Sequence, residues 1–152
     1  MNGMEALAAQ VRWVGRNFAH NLWFIPANRL DWKPSPTANS ALEIVQHSAA
    51  CMGSTLPVMR GEPFREWDRP APRDAAAAEH LIREVAEEFA GLLEGLTPAE
   101  LDRTVILPHG TMTLRDCASW EATDLVHHHG QIAYLQALLG DPEGHYFDRA
   151  PP

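Results

Sequence analysis

The chain has 152 residues, 45% of them hydrophobic, and its 12 Lys and Arg against 20 Asp and Glu give a formal net charge of −8. This length fits one domain with its own core, which excludes disordered and minimal disulfide-stapled scaffolds. The acidic balance opposes nucleic acid as a partner, because binding a phosphate backbone needs clustered cations. No apolar run of about 18 residues and no signal-like N-terminus is present, so we expect a cytoplasmic protein without a membrane partner.

The cysteines give no sign of a special role, whereas the number of histidines is unusual. The two cysteines, Cys51 and Cys117, form no CxxC pair and are too few for a disulfide framework. We expect them to be small core residues. Eight histidines, three of them consecutive at 127–129, are more than an acidic protein needs for solubility.

The first two helices are predicted from apolar spacing between prolines. The first carries one stripe and is expected to end at Pro26; its members are Leu7, Val11, Val14, Phe18, Leu22 and Ile25. A proline-containing loop over 29–39 follows. Ser40 with Glu43 three residues later is typical of a capping box, which starts a second helix that runs to Val58 or Met59.

The second half of the chain contains two more helices. The proline-rich segment 60–73 is predicted to be a surface crossover, and Asp74 to cap the third helix. Thr97-Pro98 opens a short extra turn, and 104–112 is expected to be an irregular or extended connection.

Thr113 with Asp116 resembles another capping box, and the last helix is expected to run to Leu139 before Gly140. Because no strand-like alternation of any length was found, the sequence predicts an all-α four-helix bundle over 1–140, with a tail over 141–152.

The last helix has polar residues where its inward seam should be apolar. The seam begins at Leu114 and Cys117 and ends at Leu135 and Leu138, but its middle consists of Glu121, Asp124, His128 and Gln131. Asp124 and His128 lie one turn apart and point inward. A buried carboxylate must be paired, hydrated or bound to a cation, and two ligands at i and i+4 suit a metal ion.

A third ligand has to come from another helix. His47 is the candidate, because it lies at the edge of the apolar arc of the second helix. His20 is on a more polar side, His80 is expected on the surface, and His109 and His145 in loops. The spacing alone leaves two alternatives open: a packed or hydrogen-bonded His47, and a metal-free ion pair between Asp124 and His128.

The stretch from Asp124 to Gln131, DLVHHHGQ, resembles the C-terminal metal motif of the DinB-like family of four-helix bundles. In that family a histidine on the second helix joins two ligands four residues apart on the last helix. His47 matches the first ligand and His128 the last. Asp124 stands where the family often has His, and a carboxylate there also resembles the mycothiol-dependent maleylpyruvate isomerase branch; Glu121 or His127 could substitute for it.

The resemblance implies a cofactor, a divalent transition metal (Zn or Ni), held by His47, Asp124 and His128 with at least one open position. An open position is typical of catalytic rather than structural sites. Metal-dependent S-transfer with a low-molecular-weight thiol, or hydrolysis of a small-molecule substrate, is therefore expected. The competing hypothesis is a metal-independent interaction or binding module, in which tryptophans such as Trp32 and Trp67 mark an association surface. Under either hypothesis we expect a homodimer.

Overall fold

A computed structural model describes residues 3–146, which form four long helices, one single-turn helix, two 3-10 turns (Leu22–Phe24 and Ala27–Arg29) and a hairpin. The helices are α1 (Gly3–Asn21), α2 (Ala41–Met59), α3 (Ala75–Gly95), α4 (Pro98–Leu101) and α5 (Leu114–Leu138), and the strands are β1 (Thr104–Leu107) and β2 (Gly110–Thr113). The predicted all-α four-helix bundle is confirmed. None of the helices within the described range is both long and apolar enough to cross a membrane.

The predicted caps account for where the helices begin. Ser40 and Glu43 form a complete capping box at α2, and Asp74 accepts a hydrogen bond from the N–H of Ala77 at α3. At α5 the Thr113 hydroxyl accepts from the Asp116 N–H and donates to its carboxylate. Side chains at the helix start therefore satisfy backbone donors that have no partner within the helix.

Helix α1 ends earlier in the chain than the sequence predicted. It stops at Asn21 and continues as a single 3-10 turn over Leu22–Phe24. Leu22 and Ile25 are nevertheless buried, so the stripe remains inside the core although the backbone leaves the α-helical form before Pro26.

The connection before α5, expected to be irregular or extended, is a short β-hairpin. Strands β1 and β2 pair antiparallel with Thr104 opposite Thr113 and Leu107 opposite Gly110. Each strand has only four residues, which is too short for the alternation of buried and exposed side chains to stand out in the sequence. The hairpin leads directly into the N-terminus of α5.

The four long helices surround one core. Helix α1 packs against α3 and α5, and α2 packs against the same two helices on the other side. The largest fully buried side chains include Phe18, Leu22, Met52, Ile82, Phe89, Leu93, Leu114, Leu125 and Ile132. Leu138, expected at the end of the seam, is 45% exposed instead. The polar middle of α5 therefore meets α2 within an otherwise apolar bundle.

The tail has no regular structure over 141–146 and packs against α1 and the 3-10 turn that follows it. The His145 ring stacks on Phe24 at 3.5 Å between ring centroids, and Tyr146 stacks on Trp13 at 6.1 Å. The rest of the predicted tail lies outside the described residues.

Candidate metal centre

Helices α2 and α5 bring the three predicted ligands together. Ligand atoms of His47, Asp124 and His128 all lie within 4.8 Å of one another. His47 is exposed, Asp124 is half-buried and His128 is 5% exposed, so the group spans from the bundle interior to its surface. Of the residues proposed for the middle position, the structure places Asp124, and not Glu121 or His127, in this group.

The buried histidine is oriented by a neighbour on its own helix. The Nδ1 atom of His128 donates a hydrogen bond to Oε1 of Gln131 at 2.8 Å. In a neutral imidazole this leaves a lone pair on Nε2. The Nε2 atom is therefore prepared to accept a proton or bind a cation.

That lone pair faces a carboxylate. The Nε2 atom of His128 lies 3.2 Å from Oδ2 of Asp124, yet both atoms are buried and neither makes a hydrogen bond. A charged ion pair would bring a ring N–H into line with the carboxylate, and that alignment is missing. A cation between two acceptor atoms relieves their repulsion, which favours a metal over the metal-free pair.

The donor set, and the distance between its two donors on α5, fit zinc or a similar ion. Zinc binds nitrogen and oxygen ligands at about 2.0–2.2 Å, so two such ligands on one tetrahedral ion lie about 3.3 Å apart. The 3.2 Å between His128 Nε2 and Asp124 Oδ2 agrees with that separation. Two imidazoles and one carboxylate also suit Ni and other borderline divalent ions.

The middle residue of the triple histidine has a different role from its neighbours. The amide nitrogen of Gln131 contacts His127 Nε2 at 3.1 Å, so His127, Gln131 and His128 form one hydrogen-bonded chain. His129 faces α1 instead, where its Nε2 lies 3.1 Å from Asn21, and burial lowers its pKa.

An open cleft of about 460 Å³ lies beside Asp124, on the α5 side of the ligand group. It is lined by Cys51, His109, Trp120, Glu121, Thr123, Asp124 and His127. His109, which the sequence placed in a loop and left out of the site, reaches the cleft from the hairpin turn, 5.3 Å from Trp120 between ring centroids. No local pattern marks His109, because its position depends on the hairpin turning back toward α5.

The interior of the cleft disfavours charge in the absence of a cation. Burial, and then the Asp124 carboxylate, raise the pKa of Glu121 to about 8. Burial followed by the charges of Asp124 and Glu121 raises the pKa of Cys51 to about 12. Cys117 is buried in the core, and its pKa is raised to about 12 by burial and Glu121. The carboxylates of Glu121 and Asp124 therefore place negative charge in the cleft that a bound cation would offset.

The model of the DinB superfamily matches residues 10–132, which include all three ligands. The chain belongs to this superfamily. No curated protein matches it at a significant level.

Two solved structures from Bacillus subtilis share the fold of this DinB superfamily member. A DinB-like protein, YjoA, is 22% identical with a TM-score of 0.73, and the alignment covers 98% of this chain and 100% of that one. YfiT is 15% identical with a TM-score of 0.79 over 93% and 91% of the two chains, and is described as a probable metal-dependent hydrolase with an unusual four-helix bundle topology.

Proposed function

We propose that the protein binds one divalent transition metal, Zn or Ni, through His47, Asp124 and His128, and is a metal-dependent hydrolase or thiol S-transferase of a small molecule. The observation that carries the proposal is the buried Nε2 of His128, which faces an equally unpartnered carboxylate oxygen. Apolar packing would not leave two acceptors buried face to face.

The environment of the ligands supports a reactive rather than a purely structural centre. Three protein ligands leave a position open, and the cleft gives a small molecule access to it from the side of Asp124. When bound, the ion would act as a Lewis acid that makes a water or thiol nucleophilic at neutral pH. The description of YfiT favours the hydrolase, with a low-molecular-weight thiol as the alternative nucleophile.

The chain's own residues have separate tasks in this scheme. Gln131 holds the His128 ring so that Nε2 points at Asp124. Trp120 and His109 form an aromatic wall that can orient an apolar part of a substrate. Glu121 lies in the same cleft with a buried oxygen that has no hydrogen-bond partner, available to a polar group of the substrate.

Metal content tests the proposal directly. Untagged protein supplied with Zn or Ni should contain about one equivalent by elemental analysis, while His128→Ala should contain almost none and remain helical by circular dichroism. His80→Ala is the matched control, because His80 is 82% exposed on α3. Wild-type protein that carries no metal after loading would refute the proposal. Anomalous scattering at the Zn and Ni edges would identify the ion.

The competing interaction module has weaker support. Trp32 and Trp67 are half-buried and pack against the core, so only part of each ring is available for association. Exposed apolar side chains do occur along α5, at Trp120, Tyr134 and Leu138. The predicted homodimer stays a prediction, and light scattering of the metal-loaded protein measures it.

A further inference from the structure

One cysteine adjoins the three ligands. Cys51 lies one helical turn after His47 on α2, and its Sγ is 3.6 Å from His47 Nε2. Cys51 and Asp124 also line the same cleft. Cys51 therefore contacts one ligand on its own helix and shares the cleft with a second ligand on α5.

The spacing is that of two ligands on one ion. Zinc binds thiolate sulfur at about 2.3 Å and imidazole nitrogen at about 2.0–2.1 Å, which places such atoms about 3.6 Å apart in a tetrahedral site. The distance between Cys51 Sγ and His47 Nε2 has this value. Thiolate is also the softest donor in the cleft, and soft donors favour Zn over the hard ions Mg and Ca.

A second observation indicates that an ion belongs at this place. His128 is 5% exposed, and its Nε2 is buried and aimed at Asp124 without a hydrogen-bond partner. When His47 donates its Nε2 lone pair to an ion, the Cys51 thiol loses that hydrogen-bond partner. The ion is then a group to which the sulfur can bind.

We infer that Cys51 is a fourth, displaceable ligand of the metal held by His47, Asp124 and His128. The inference rests on the proposed metal site and assigns it a closed resting form. As the sulfur–metal bond forms, the thiol proton leaves to solvent through the cleft; as a substrate or water takes the position, the thiolate regains a proton.

Coordination requires a small movement of the sulfur. The Sγ atom is not among the donors that lie within 4.8 Å of one another. Because Cys51 is half-buried at the cleft, the sulfur can turn without a change in the core.

Cobalt spectroscopy distinguishes this inference from the proposed function. Metal-free wild-type protein, Cys51→Ser and Cys117→Ser are each titrated with Co(II). The wild type and Cys117→Ser should show visible d–d bands and a near-ultraviolet sulfur-to-cobalt charge-transfer band, both saturating at one equivalent. Cys51→Ser should keep the d–d bands, lose the charge-transfer band and bind cobalt at least about tenfold more weakly. Cys117 is the control because it is buried in the core on α5.

The outcomes of the cobalt titration distinguish a failure of the Cys51 inference from a failure of the metal site itself. Visible bands without a charge-transfer band in the wild type would overturn the role of Cys51 and leave the three-ligand site intact. A charge-transfer band that survives in Cys51→Ser would also overturn it. The absence of all bands in the wild type would overturn the metal site and the inference together.

Discussion

At the scale of single residues, the orientation of His128 depends on Gln131. Both residues lie on α5 three positions apart, and the 2.8 Å hydrogen bond between them selects the ring nitrogen that faces the site. The sequence placed Gln131 on the polar seam, but it could not show that the side chain bonds to His128 rather than to solvent.

Replacing Gln131 should weaken metal binding without removing a ligand. In Gln131→Leu the Nδ1 proton of His128 has no acceptor on its helix, so both the ring angle and the tautomer become less defined. We expect zinc affinity to fall about 10- to 100-fold in a chelator-competition titration. Gln131→Glu supplies a carboxylate acceptor and should restore most of the loss.

The control for this prediction is Gln10→Leu, because Gln10 is exposed on α1. Equal zinc affinities for the wild type and Gln131→Leu would show that packing alone orients His128.

At the scale of elements, the crossover over 60–73 packs on α2 through the ring of Trp67, and Gln46 of α2 donates to the carbonyl of Arg69 at 3.3 Å. Trp67 covers Gly53, and a Cβ at Gly53 would lie 2.0 Å from ring carbons of Trp67. The backbone N–H of Trp67 donates to Ser54 Oγ at 3.0 Å, and the guanidinium of Arg69 lies over the Trp67 ring at 4.8 Å from its centroid. The sequence predicted the crossover but not the place on α2 where it packs. The contact between Trp67 and Gly53 depends on which face of α2 the other helices leave uncovered.

Two glycine substitutions test the contact between Trp67 and Gly53, and we expect them to change the free energy of unfolding in opposite directions. Gly53→Ala forces the Trp67 ring off α2 and should lower the free energy of unfolding by about 1–3 kcal/mol, as overpacking does. Gly91→Ala on α3 meets open space and should raise it by up to about 1 kcal/mol through helix propensity.

Urea denaturation followed by circular dichroism measures both variants, and tryptophan fluorescence reports on Trp67. A Gly53→Ala protein as stable as the Gly91→Ala protein would mean that the ring is easily displaced.

The hairpin is the other element with a consequence for the site. Val105 and Leu107 bury one side of β1, and the turn then carries His109 to the cleft. Two strands of four residues cannot be stable alone, so this hairpin forms because α5 and the end of α2 hold it, with Arg103 donating to the carbonyl of Val58 at 2.8 Å.

At the scale of the whole molecule, a ligand that binds only the folded state links metal binding to stability. His47 and Asp124 are 77 positions apart in the sequence and lie on different helices, so the ligand set exists only in the folded bundle. Binding then adds about 2.7 kcal/mol to the free energy of unfolding when free metal is 100 times Kd.

We expect zinc to raise the Tm of the wild type by about 5–10 °C, given the usual relation between stability and Tm at this size. A strong chelator should reverse the increase, and His128→Ala should show neither effect. Differential scanning calorimetry makes the measurement. A wild-type Tm unmoved by metal and chelator would favour the interaction module instead.

The sequence by itself determined the four helices, most of their starts and the pair Asp124 and His128. These features are local: apolar spacing, caps and the i, i+4 geometry of one helix depend only on neighbours within a few turns. The tertiary structure decided which helix faces meet. It brought His47 and Cys51 to α5, His109 to the cleft and Trp67 onto Gly53, because such contacts depend on packing and loop paths across the whole core, which no local pattern encodes.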